Sequence, residues 1–313
     1  MKAITLKEPG GVENLELTEV DKPTIKDDEV LVKVKAISIN PVDVKTRAGK
    51  GMYGRLKEEK PLIIGWDISG VVVEKGSAVD TLDIDDEVFG MVLFPAHGRA
   101  YAEYVAAPAA HLAKKPANVS FEEAAAATLA ALTAWEALTE HAGINKGQKI
   151  LIHAASGGVG HFAVQMAKHI GAYVIGTSSA ENRDLVLSLG ADEHVDYKAN
   201  RFEDVVSNVD FVLETVGGEN IERSLQVLKK GGTVVSILGA GSEAVAEKAK
   251  NLGVNIKAFL VKTDPLAIKT IASLLEKGEV KPHVSKTFPF DKMGDAHLEV
   301  ESGKTKGKVV VVL

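Results

Sequence analysis

The chain has 313 residues, 26% of them charged and 45% hydrophobic, with a formal net charge of −6 and no cysteine. That length suffices for two ordinary domains with a core each, and the mild acidic balance, without a long run of one sign, excludes an extended basic surface for nucleic acid. The missing cysteines remove disulfides, thiol nucleophiles, iron–sulfur clusters and thiolate zinc sites together.

From residue 1 to about 117 the sequence reads as short strands broken by turns, with β-branched runs at Val30 to Ile39 and Ile68 to Glu74. The start carries no apolar secretory stretch, and no apolar run approaches the roughly 18 residues that cross a bilayer, so a cytoplasmic protein with no membrane span is expected. Ser120 followed by Glu123 forms a capping box that opens an alanine-rich helix predicted to run to about His141. Strands and helices then alternate. Strands are predicted at Lys149 to Ala154, Tyr173 to Thr177, Glu193 to Tyr197, Asp210 to Glu214, Thr233 to Leu238 and Val254 to Val261. Such alternation implies an α/β unit with a parallel sheet covered by helices on both faces. Asp264 as N-cap, Pro265 at the first helical position and Gly278 beyond the end mark a further helix, after which the tail turns β-like again.

The first of these strands runs into Ala155-Ser156-Gly157-Gly158-Val159-Gly160. A dinucleotide pyrophosphate needs a tight turn, a bare backbone for close approach, and a helix start whose free amides face the anion. Gly157, Gly158 and Gly160 supply the last two, and the next helix carries one apolar stripe through Val159, Phe162, Ala163, Met166, Ala167 and Ile170. The string alone is weak evidence. Its place between a strand and an amphipathic helix, with a second strand at the right distance, gives it weight. That second strand ends in Thr177-Ser178-Ser179, with Arg183 a turn later, which suits a 2′-phosphate better than the acidic residue that accepts from a free ribose hydroxyl. NADPH is therefore the predicted cofactor, with Tyr197 and Lys198 flanking the same phosphate and Glu181 as the discordant neighbour.

The strings Asn40-Pro41-Val42-Asp43, Arg47-Ala48-Gly49, Gly65 to Val72, Gly76-Ser77, Asp86 to Gly90, Leu132 to Trp135, His153 to Gly160 and Gly307 to Val310 span the whole chain in order. In these the protein resembles the medium-chain dehydrogenase/reductase superfamily, and within it the zinc-independent quinone-oxidoreductase-like branch. The resemblance implies a GroES-like β-rich catalytic domain made from residues 1–120 and 264–313, around a Rossmann NADPH-binding domain over 121–263. It also implies that the nicotinamide lies in the cleft between the domains. Zinc-dependent relatives hold their metal with two cysteines and a histidine. Here Asn40 and Trp66 stand at the first cysteine and the histidine positions and Thr133 lies near the second cysteine position, so no metal site is expected.

Without a Lewis acid, acceptors must already be electron-poor, which points to quinones and α,β-unsaturated carbonyls. In this scheme Asn40, with Thr133 or a backbone amide, stabilises the oxyanion that develops on hydride transfer. The alternative for Asn40 is a turn residue before Pro41. Asp43 is expected to orient the Asn40 loop, Trp66 to line the cleft or fill the core, and Tyr53 to donate a proton, stack as a lid or lie exposed. His97 reads as surface and His153 as packed. Phe259, Leu260 and Val261, with the turn at Leu238 and Gly239, are predicted to border the nicotinamide. The last Rossmann strand would leave a free sheet edge suited to a homodimer. The competing function is an NADPH-binding protein with a structural or regulatory role and little turnover.

Overall fold

The β-branched run from Glu29 to Ile39 forms the longest strand of the chain and organises the first unit, which comprises residues 1–132 and 262–313 of the computed structural model covering residues 1–313. Two register shifts, between Leu31 and Val32 and between Val34 and Ala36, bend the strand so that it pairs with Asp67–Lys75 along its length and with Tyr104–Pro108 near its start. Glu87–Met91 and Leu112–Lys114 continue the antiparallel sheet. On the other side Lys308–Val312 from the chain's end pairs antiparallel with Ile39 to Ala36, and Val284–Pro289 joins it in parallel. The tail thus closes the sheet begun by the N-terminal half, giving a GroES-like β-rich unit.

The second unit, residues 133–261, holds a six-stranded parallel sheet in the order Glu193–Asp196, Tyr173–Ser178, Lys149–Ile152, Val209–Glu214, Leu228–Ser236, Asn255–Ala258. This is the doubly wound order, in which the chain reverses direction across the sheet at the first strand. The central strands Tyr173–Ser178, Lys149–Ile152 and Val209–Glu214 are buried along most of their length, as strands covered on both faces must be, whereas the edge strands are more exposed. Helix Gly160–Ile170 packs its stripe on the sheet, with Phe162, Ala163, Met166 and Ala167 fully buried, and ends at Gly171 in the left-handed region at φ 93°.

Three expectations are revised. The helix predicted from Phe121 to about His141 is broken into Phe121–Ala126 and Leu129–Glu136, then a wider turn over Ala137–His141. At the break, Thr128 Oγ1 donates to the Ala125 carbonyl and the Leu129 amide donates to Asp67 Oδ1 at 3.1 Å, so a carboxylate from the sheet takes a helical amide. Residues 121–132 belong to the first unit, where Ala125 and Ala126 pack on Ala36 and Val310; alanines let a helix lie this close to a sheet. The last Rossmann strand stops at Ala258 rather than Val261 because its neighbour ends at Ser236, its register partner. Helix Pro265–Glu276 is capped as read: Asp264 Oδ1 accepts from the Leu266 and Ala267 amides.

Candidate nucleotide site and a buried polar cluster

The bend after Lys149–Ile152 is tied at both ends. The Ala155 amide donates to the Thr177 carbonyl at 2.8 Å and the Gly157 amide to the Ala154 carbonyl at 2.8 Å, with Ala154 itself at φ 47°. A Cβ on Gly160 would run into the Ala154 carbonyl oxygen, which makes this glycine a requirement of close packing between helix start and strand end. The amides of Gly158 and Val159, by contrast, find no acceptor within the chain, the arrangement a helix start offers to an anion.

Beside the bend, the serine pair and a residue the sequence reading overlooked form one polar surface. Asn182 Nδ2 donates to Ser156 Oγ at 3.2 Å and to Ser179 Oγ at 3.3 Å, while its Oδ1 is buried without a partner. An orphaned buried acceptor is costly unless a donor such as a ribose hydroxyl meets it, and these residues fit a dinucleotide. Ser178 Oγ is 2.7 Å from His194 Nε2, and burial holds that imidazole below its ordinary range. Ser179 Oγ donates to Glu181 Oε1 at 3.1 Å, so the discordant carboxylate turns onto the serine pair. Arg183 opens a short helix with its guanidinium exposed and held only by Asp184 at 3.5 Å, leaving it available to a phosphate. Tyr197, 58% exposed, is anchored by its amide to the Ser178 carbonyl and lines with Lys198 a surface pocket of about 480 Å³.

The remaining predicted residues lie in varied surroundings. Thr177 does not offer its hydroxyl to this surface; Oγ1 lies 3.1 Å from His153 Nδ1, beneath the bend. Gly239 sits exposed at φ 103° in the loop after Leu228–Ser236. Phe259 is half-buried against His141, with ring centroids 4.2 Å apart; Leu260 is 43% exposed and Val261 buried. Thr133 is buried on helix Leu129–Glu136, and Tyr53 opens a single helical turn instead of lying in a loop. Trp66 is core: fully buried, edge-on to Phe94, with Nε1 donating to the Ala96 carbonyl at 2.7 Å. His97 is a quarter exposed beside Glu59.

In the first unit Asn40 belongs to a concentration of buried polar groups. Asn40, Asp43, Asp67, Tyr101, His297 and Lys308 are each at most 3% exposed. Asp43 Oδ2 accepts from the Asn40 amide at 2.6 Å, closing a capping box on helix Pro41–Arg47, the orienting role read for Asp43. Asn40 Nδ2 donates to Asp67 Oδ2 at 2.8 Å, and Lys308 Nζ donates to Asn40 Oδ1 and to the Ile39 carbonyl. An amide between an ammonium and a carboxylate has its two ends fixed, and one N–H of Asn40 is left over. Burial, then the charge of Asp67, raises Asp43 to about 7, and burial also raises Asp67 and lowers Lys308. Tyr101 Oη meets His297 Nε2 at 2.9 Å, and burial pushes that histidine down to about 3. Asp67 and Lys308 both lie in the matching strings, but only the pairing of Asp67–Lys75 and of the last strand with opposite edges of Glu29–Ile39 brings them to Asn40.

Sequence comparisons agree with this architecture. The alcohol dehydrogenase GroES-like domain family matches residues 26–117 and the zinc-binding dehydrogenase family matches residues 189–311. A 2-methylene-furan-3-one reductase of Solanum lycopersicum is 38% identical over 321 aligned residues, covering 99% of this chain and 79% of that protein. The chain belongs to the medium-chain dehydrogenase/reductase superfamily. An Arabidopsis thaliana chloroplastic NADPH-dependent alkenal/one oxidoreductase is 36% identical, with coverage of 99% and 79%. Among solved structures, the quinone oxidoreductase of Coxiella burnetii superposes on this superfamily member with a TM-score of 0.94 at 35% identity, covering 100% of this chain and 99% of that one. No helix of the protein is long and apolar enough to cross a membrane.

Proposed function

We propose that the protein is a zinc-independent oxidoreductase that binds NADPH on its Rossmann unit and transfers hydride to a quinone or an α,β-unsaturated carbonyl compound. The observation that carries the reading is the polar surface on which Asn182 joins Ser156 of the phosphate bend to Ser179 of the strand end. It spans the place of the pyrophosphate and the place of a 2′-phosphate, with Arg183 and Tyr197 at its rim. The relatives support the chemistry: one is named a furanone reductase, one an NADPH-dependent alkenal/one oxidoreductase, and the structural neighbour a quinone oxidoreductase.

NADPH, when bound, supplies the hydride; the chain supplies binding, orientation and hydrogen bonds. Gly157 to Gly160 present the helix start to the diphosphate, and Ser156, Ser178, Ser179, Arg183 and Tyr197 hold the phosphorylated ribose. Gly239, Phe259, Leu260 and Val261 remain proposed as neighbours of the nicotinamide. Asn40 is proposed to offer its remaining N–H to the acceptor's oxygen, its orientation fixed by Asp67 and Lys308. Thr133 and Tyr53 stay as proposed sources of a hydroxyl donor. Zinc independence rests on donor chemistry: with no cysteine in the chain, the first cysteine position is held by an amide committed to Lys308 and Asp67, and the histidine position by a buried indole.

The test is consumption of NADPH on addition of 1,4-benzoquinone or an enone. Turnover that survives unchanged in both Asn40→Ala and Thr133→Ala removes these two as donors. Tight NADPH binding with no consumption across quinones, enones and aldehydes transfers the protein to the structural or regulatory reading. A cytoplasmic homodimer completes the proposal. It is supported by strand Asn255–Ala258, a sheet edge three of whose four residues are exposed. Light scattering is expected to give twice the chain mass; a monomer mass across micromolar concentrations contradicts the dimer.

A further inference from the structure

Parallel register places Thr177, His153, Glu214 and Ser236 in one row across four neighbouring strands: Ile152 pairs with Gly176 and Leu213, one residue before the row, and Glu214 pairs with Ser236. Two residues earlier on the same face the row is Ile175, Leu151, Val212 and Val234, all apolar and part of one core cluster. The sheet therefore changes from apolar to polar at its carboxyl end while staying buried, with all four polar residues at most 3% exposed. Apolar side chains of similar volume would hold this layer at less desolvation cost. A buried polar row that persists there calls for a use.

The hydrogen bonds give the row a direction. Ser224 Oγ has one proton and two acceptors before it, the Asn220 carbonyl at 2.8 Å and Glu214 Oε2 at 3.1 Å, so it accepts from His153 Nε2–H at 3.0 Å, which leaves His153 Nδ1 to accept from the Thr177 hydroxyl at 3.1 Å. Glu214 then spends its carboxylate on the following loop: Oε1 accepts from the Val216 and Gly217 amides at 2.6 and 2.9 Å, and Oε2 from Asn220 Nδ2 at 2.7 Å. Thr215 Oγ1 closes the loop back onto the His153 carbonyl at 2.9 Å. His153 must be neutral to play this part, and burial keeps it so, lowering it to about 4.

We infer that His153 is a positioning residue which couples the strand end carrying Ser178 and Ser179 to the loop from Thr215 to Asn220, so that two segments at the carboxyl end of the parallel sheet, where a dinucleotide binds, are set by one chain of hydrogen bonds. The inference rests on the NADPH reading for its functional meaning. Thr177 and Glu214 act on the bound nucleotide through the histidine between them, not independently.

The test is a double-mutant cycle on NADPH dissociation, read by cofactor fluorescence, with Thr177→Val and Glu214→Gln. If each loosens NADPH about five- to tenfold, the double variant is expected to match the weaker-binding single variant instead of reaching about fiftyfold, because both break the same chain. In a His153→Phe background the two substitutions are expected to add nothing further, whereas Thr177→Ser in the otherwise wild-type chain, which keeps the hydroxyl, is expected to retain wild-type affinity. Amide hydrogen exchange gives a reading that needs no nucleotide: Thr177→Val should deprotect the Val216 and Gly217 amides about fivefold or more, although Thr177 touches neither. Additive losses, or unchanged protection of those amides, overturn the coupling while leaving NADPH binding standing. A wild-type protein that binds no NADPH overturns the functional reading itself, and the coupling's functional meaning with it.

Discussion

At the scale of single residues, choice between the two nicotinamide cofactors falls on side chains that the fold gathers within a few ångströms. Glu181 accepts from Ser179 Oγ, which sets a negative charge against the place proposed for a 2′-phosphate, while Arg183 is free to oppose it. Removing the charge with Glu181→Gln is expected to tighten NADPH about three- to tenfold, the scale of roughly 1 kcal/mol for one partly exposed charge contact, with little change for NADH. Arg183→Ala is expected to weaken NADPH about tenfold and leave NADH unaffected, because a charge-assisted contact to phosphate is lost only where the phosphate exists. Fluorescence titration with both nucleotides reads the two effects; equal changes for NADPH and NADH would detach these residues from the phosphate.

Between elements, the buried cluster around Asn40 joins the two ends of the chain. Lys308, on the last strand, sits between the Ile39 carbonyl and the Asn40 amide at the end of the long strand, with Asp67 on the next strand. Removing the only ammonium among two buried carboxylates leaves them uncompensated, a loss that ranges over about 3–5 kcal/mol when one partner of a buried pair is deleted. Lys308→Met is therefore expected to lower the urea midpoint substantially, and Asp67→Asn in the same chain to recover part of it. Equal stability of Lys308→Met and the wild type would show that the buried carboxyl groups do not depend on the Lys308 charge. The same Asp67 that anchors Asn40 also takes the Leu129 amide, so the helix break at Ala127 and Thr128 is a product of the cluster.

For the whole molecule, two sets of buried groups make stability depend on pH in opposite senses. Asp43 is raised from 3.8 to about 7, so between those values the native state keeps a proton that the unfolded chain gives up, and stability falls as pH rises. His153 and His297 are lowered from 6.5 to about 4 and about 3, so the unfolded chain takes protons that the native state refuses, and stability falls as pH drops below 6.5. The neutral variant Asp43→Asn is expected to gain melting temperature relative to the wild type as pH rises from 4 to 7. A difference between the two that stays constant across that range would place the ionisation of Asp43 elsewhere.

Much of this protein is legible in its residues because the relevant signals are local. The capping box at Ser120, the Asp264 and Pro265 helix start, the alternation of strands and helices, and the glycine string after Ile152 each report a backbone requirement met within a few positions. Those signals determined a β-rich unit, a doubly wound unit and the bend suited to a phosphate. What tertiary structure decided lies across the sheets. Nothing in the spacing of Thr177, His153 and Glu214 shows that parallel register sets them side by side, or that Asn182 bridges the bend and the serine pair. Asp67 and Lys308 meet at Asn40 only because strands far apart in sequence pair there. A residue's own neighbours in the chain fix its backbone, whereas the partners of a buried polar group are chosen by strand order and register.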